Sequence, residues 1–124
     1  MSTAATPAPV GWFEIAGSDQ AKTEAFYGQL FHWTFGDGPV GPAYRMVDAG
    51  DGLPGAVTTA QAGMPTNYAM FSVMVPDVAA ACEQVVDLGG KVLAGPETLP
   101  NGLAFANFAD PDGSVIGVFS PPAS

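Results

Sequence analysis

The chain has 124 residues, a length at which one domain buries enough surface to fold without metal or disulfide staples. Twelve acidic side chains against three basic ones, Lys22, Arg45 and Lys91, give a formal net charge of -9, which repels polyanions and argues against nucleic acid or an anionic membrane as partner. A single cysteine, Cys82, excludes an internal disulfide and a cysteine-based metal cluster, and no apolar run approaches the roughly 20 residues needed to cross a bilayer.

Residues 1–8 are Ala/Thr/Pro-rich, with neither a basic segment nor an apolar core, and read as a disordered tail rather than a signal peptide. A cytoplasmic location follows, and a reducing compartment suits a lone cysteine. Residues 10–15 alternate as a first strand, and Asp19 caps a helix running from Gln20 to about His32. Ala25, Phe26 and Leu30, with Ala21 and Gln29 between them, form its expected buried stripe, and His32 takes a surface or capping role at its end. Gly/Pro-punctuated apolar pieces at residues 33–35, 44–47 and 55–59 read as three short strands.

After a linker at residues 61–66 the pattern returns. Residues 68–75 form a strand, Asp77 caps a helix over about residues 78–88 that buries Cys82, and strands follow at 92–94, 103–108 and 114–119. Trp12 and Met70, Asp19 and Asp77, and Leu30 and Leu88 are each separated by 58 positions. Each half is therefore β-α-β-β-β, with a first module at residues 9–60 and a second at 67–121. Modules this short make one α+β domain together, not two domains.

The duplicated strand-Asp-helix unit, the segment Phe26-Tyr27-Gly28-Gln29-Leu30-Phe31-His32-Trp33 and the turn Asp110-Pro111-Asp112-Gly113-Ser114 together resemble the vicinal oxygen chelate superfamily of glyoxalases, extradiol dioxygenases and bleomycin-resistance proteins. The resemblance covers about residues 9–121. It implies a curved sheet with a U-shaped cavity, often closed across a homodimer. It also implies that metal-dependent members carry ligands where this chain has Trp12, Met70 and Gly117. Indole is a donor only, a thioether is a weak soft ligand and glycine has no side chain, so no metal or other cofactor is expected.

If the positions corresponding to those ligands face the trough, strand alternation places Trp12, Glu14, Met70, Ser72 and Phe119 there, with Val115 beside Gly117, and the resemblance implies that Phe105 and Asn107 lie on the same side. Phe13, Ile15, Phe71, Val73 and Val75 then turn to the helices. Trp33, Phe35, Tyr44 and Met46 complete the expected ligand-binding set, an aromatic and Met-rich surface with a few polar anchors. Such residues either fill a small domain or hold a flat organic molecule. The resemblance to metal-free bleomycin-resistance-type members implies sequestration of an aromatic natural product or antibiotic, with no catalytic residue. The alternative is a metal-independent lyase, isomerase or hydrolase with Glu14 as general base, and a collapsed-cavity structural subunit is a third class. The Gly/Pro-rich stretch 50–66 and the open trough edges point to a homodimer.

Overall fold

The computed structural model describes residues 6–38, 41–60 and 62–122, with only the backbone described at 41–43. Of the tail expected over residues 1–8, positions 1–5 lie outside the described residues, as does Gln61 of the linker. Ten elements follow in chain order: β1 (Val10–Gly17), α1 (Gln20–Phe31), β2 (Thr34–Gly38), β3 (Gly41–Asp48), β4 (Gly55–Thr59), β5 (Tyr68–Met74), α2 (Val78–Asp87), β6 (Lys91–Thr98), β7 (Ala104–Ala109) and β8 (Val115–Ser120). This is the α+β, twice-repeated β-α-β-β-β order read from the sequence.

The strands form one curved, open eight-stranded sheet in the order β2-β3-β4-β1-β5-β8-β7-β6. The first strands of the two modules, β1 and β5, meet antiparallel at the centre, while β1 pairs parallel with β4 and β5 parallel with β8. Each module thus contributes one half of the sheet. Because paired residues on neighbouring strands share a face, this register divides the side chains into two layers.

One layer meets the helices. In the second module Val78 and Cys82 of α2 pack on Ala106 and Val118, with Val73, Val75, Val92, Ala104 and Phe108 around them. Asp77 caps α2 by accepting from the Ala80 amide at 3.0 Å, and Asp19 caps α1 by accepting from the Lys22 amide at 3.1 Å. His32 closes α1 in the left-handed region at φ 62°, donating its amide to the Gly28 carbonyl. The Asp110 carboxylate accepts from the amides of Asp112 and Ser114, fixing the reversal between β7 and β8.

Helix α1 departs from the expected packing. Phe26 is 60% exposed and Leu30 53%, Ala21, Ala25 and Gln29 are exposed too, and α1 has no fully buried residue. Its rotation is set by other groups. The Gln20 amide donates to the Val57 carbonyl at 3.0 Å, Glu24 pairs with Arg45 at 3.3 Å, and Gly28 lets Phe35 approach the helix. These contacts turn the Gln20, Thr23, Glu24, Tyr27 and Gly28 side inward. Phe71 also lies on the helix-bearing layer but stays 42% exposed.

Candidate functional site

The second layer, free of helices, carries three rows of side chains across the sheet. Tyr44, Thr58, Ala16 and Tyr68 make the first, Met46, Ala56, Glu14 and Met70 the second, and Trp12, Ser72, Gly117, Asn107 and Ala94 the third. Phe105 and Phe119 pair beyond the third row. Small residues surround Glu14: Ala16 is 3% exposed and Ala56 0%, so the long side chains of neighbouring rows close over the carboxylate.

Glu14 itself is 5% exposed and joins the two modules. Tyr44 of β3 donates its hydroxyl to Oε1 at 3.0 Å, and Tyr68 of β5 donates to Oε2 at 2.5 Å. The Trp12 indole N–H donates to the Tyr44 hydroxyl at 3.0 Å, so indole, phenol and carboxylate form one chain. Burial raises the Glu14 pKa above its ordinary 4.5, an effect that the Tyr68 and Tyr44 hydrogen bonds oppose. Burial, with the Glu14 charge next, raises Tyr44 well above the phenolic range, which keeps it a neutral donor. The arrangement holds an acceptor-rich carboxylate beside a half-buried aromatic face.

In the third row, Gly117 is the place where a side chain does not fit. A Cβ there would collide with Ser72 Oγ and come within 3.0 Å of Asn107 Oδ1 and 3.3 Å of Met70 Cε. Ser72, Asn107 and Met70 are all buried. Beside them, Ala62, Ala94, Gly95, Pro96, Glu97 and Phe105 wall an open cleft of 560 Å³. An apolar cleft of 290 Å³ between α2 and the β7–β8 hairpin lies on the helix side, away from Glu14.

The profile of the Glyoxalase/Bleomycin resistance protein/Dioxygenase superfamily matches residues 10–118. The chain belongs to this superfamily. Curated proteins of Mycobacterium bovis and Mycobacterium tuberculosis, which carry the provisional name glyoxylase CFP32, are 28% identical over 115 residues, spanning 87% of this chain and 44% of theirs. The chain thus spans less than half the length of these relatives. Among solved structures, a glyoxalase/bleomycin resistance protein/dioxygenase superfamily member from Vibrio splendidus superposes with TM-score 0.62 at 13% identity, over 93% of this chain and 100% of that one. A Streptomyces coelicolor methylmalonyl-CoA epimerase gives 0.58 at 16%, over 95% and 97%. A structure described as an NAD-dependent benzaldehyde dehydrogenase from Legionella pneumophila gives 0.63 at 18%, over 88% and 96%. At these identities the structures share the fold.

The metal chemistry that the superfamily resemblance implies for some members does not fit this donor set. Trp12 spends its one polar atom on Tyr44, Met70 offers a thioether, and Gly117 offers nothing. Among the described residues no group of three or more His, Cys, Asp or Glu is placed to hold an ion.

Of the side chains expected in the trough, the structure brings Trp12, Glu14, Tyr44, Met46, Met70, Ser72, Phe105, Asn107 and Phe119 onto the helix-free face. Trp33 and Phe35 are not there. The Trp33 ring lies 5.3 Å from Phe13 and 5.7 Å from Tyr27, and Phe35 approaches Gly28, so both pack between β-sheet and α1. The cause is the turn after His32, which returns the chain beneath its own helix. Tyr68 is absent from the expected set, yet it lies on the parity of Met70 and Ser72. Extending the alternation one step toward the strand start finds it.

Proposed function

We propose that this chain binds a flat, partly polar aromatic molecule of natural-product or antibiotic type on the helix-free face and acts by sequestration. The observation that carries the reading is the Glu14 carboxylate, buried and held on both oxygens by Tyr44 and Tyr68 next to Trp12. Each carboxylate oxygen keeps a lone pair for a ligand donor, and the indole is fixed by its own hydrogen bond, so little ordering remains to oppose binding. The aromatic residues supply stacking area and the polar ones set orientation. Membership in a superfamily whose description includes bleomycin-resistance proteins supports the same reading.

A second reading has a specific observation behind it. Burial makes Glu14 a stronger base than an exposed carboxylate, as proton abstraction from a bound substrate requires. Native mass spectrometry of protein purified from its host, followed by chromatography of the released small molecule, tests both. A co-purified compound recovered unchanged supports sequestration. A product whose formation falls about a hundredfold in Glu14→Gln replaces it with catalysis.

The homodimer and the cytoplasmic location belong to the same proposal, and sedimentation equilibrium at twice the chain mass is the expected result for the first. No helix among the described residues is long and apolar enough to cross a membrane.

A further inference from the structure

Asn107 lies on the helix-free face at 3% exposure, and its amide nitrogen Nδ2 is buried without a hydrogen-bond partner. An unpaired buried donor lowers the stability of the free protein, and an apolar side chain of the same shape would remove that loss. Its surroundings point to a ligand. The amide oxygen stands against Gly117, where a Cβ would come within 3.0 Å of it and collide with Ser72 Oγ. Ala94, the cross-strand partner of Asn107, and Phe105, two positions along β7 on the same face, are both walls of the 560 Å³ cleft. Ala62 lines the same cleft. The next residue, Gly63, sits at φ +88° against the Leu93 carbonyl, which brings this part of the linker close over β6. Asn107 thus stands next to two walls of the cleft, in the row that runs through Ser72 to Trp12, with its amide nitrogen buried behind them.

We propose that this cleft is the entrance subsite of the binding face and that Asn107 Nδ2 is its specificity-determining donor, reading a carbonyl oxygen on the ligand. The inference rests on the binding function proposed above and narrows the ligand to flat aromatic ketones and quinones. A ring carbonyl presents its lone pairs in the ring plane, so a molecule lying flat beside Phe105 offers an acceptor edgewise to the amide. The same ring without the carbonyl leaves Nδ2 unpaired in the complex, and a site built around a buried donor discriminates against such a ligand.

The test uses two probes of one shape, 2-(hydroxymethyl)anthraquinone and 2-(hydroxymethyl)anthracene, titrated into the full chain and into Asn107→Leu, with Asn107→Ala as a second variant that only removes volume. The wild-type protein should bind the quinone at least about tenfold more tightly than the anthracene. Both variants should bind the two probes alike. The melting temperature of Asn107→Leu should equal or exceed that of the wild type. Equal wild-type affinity for both probes, or a preference that survives in the variants, overturns the inference while leaving the binding function in place. A clear drop in melting temperature for Asn107→Leu overturns its premise, since it would mean the amide is satisfied. Failure of both probes to bind takes down this inference together with the function on which it rests.

Discussion

The Tyr68 hydroxyl donates to Glu14 Oε2 across 2.5 Å, linking the first strand of the second module to the first strand of the first. Removing that donor leaves a buried carboxylate with Tyr44 as its remaining phenolic partner. Tyr68→Phe should therefore destabilise the fold by about 1–3 kcal/mol at neutral pH, and by less in mild acid where Glu14 is protonated. Urea unfolding at the two pH values measures it. Tyr44→Phe should cost at least as much, because it also orphans the Trp12 indole N–H.

The pH dependence of Glu14 has a definite sign. Its folded-state pKa lies above the ordinary 4.5 because of burial, so the folded chain binds this proton more tightly than the unfolded chain. Stability contributed by the group is present below the unfolded value. It falls as pH rises through the window up to the raised folded value, and is flat above that. The unfolding free energy of the wild type minus that of Glu14→Gln should decline across this window with a slope approaching about 1.4 kcal/mol per pH unit. A difference independent of pH would place the carboxylate in water.

Gly117 predicts a pairwise effect. Gly117→Ala drives a methyl into Ser72 Oγ, and overpacking of this kind costs about 1–3 kcal/mol. Combining it with Ser72→Ala removes the oxygen and should recover part of the loss. A melting-temperature cycle over the two single variants and the double variant shows the coupling, and additive losses would contradict the contact.

Much of this site was legible in the sequence because strand parity is a strong constraint. Glu14 and Trp12 share a parity, as do Met70 and Ser72, and one register fixes the face for all of them. Parity failed where the chain leaves a helix, since the angle at which His32 turns into Trp33 is a tertiary property. It also failed for α1. Counting apolar residues chose Phe26 and Leu30 as the inner stripe, whereas two polar contacts, from Gln20 and Glu24, and the absence of a Gly28 side chain decide the rotation. Hydrogen bonds such as Tyr68 to Glu14 span 54 residues and carry no local signature.

That rotation makes a further prediction. Leu30, 53% exposed, should tolerate change to Gln within about 0.5 kcal/mol. Val57, fully buried beneath α1 at 0% exposure, should lose about 2 kcal/mol on change to Ala. Chemical denaturation of the two variants compares them, and a larger loss for Leu30→Gln would restore the inner stripe that the apolar pattern suggested.

The two tryptophans lie on opposite faces of the sheet, Trp12 in the Glu14 chain and Trp33 against Phe13, so fluorescence separates them. The most direct measurement is quenching by 2-(hydroxymethyl)anthraquinone in Trp33→Phe, where Trp12 alone reports, and in Trp12→Phe, where Trp33 does. Binding on the helix-free face predicts saturable quenching with the wild-type Kd in Trp33→Phe, and in Trp12→Phe little quenching with affinity weakened at least about fivefold to tenfold. Saturable quenching in Trp12→Phe at the wild-type Kd would place the ligand elsewhere and contradict the account.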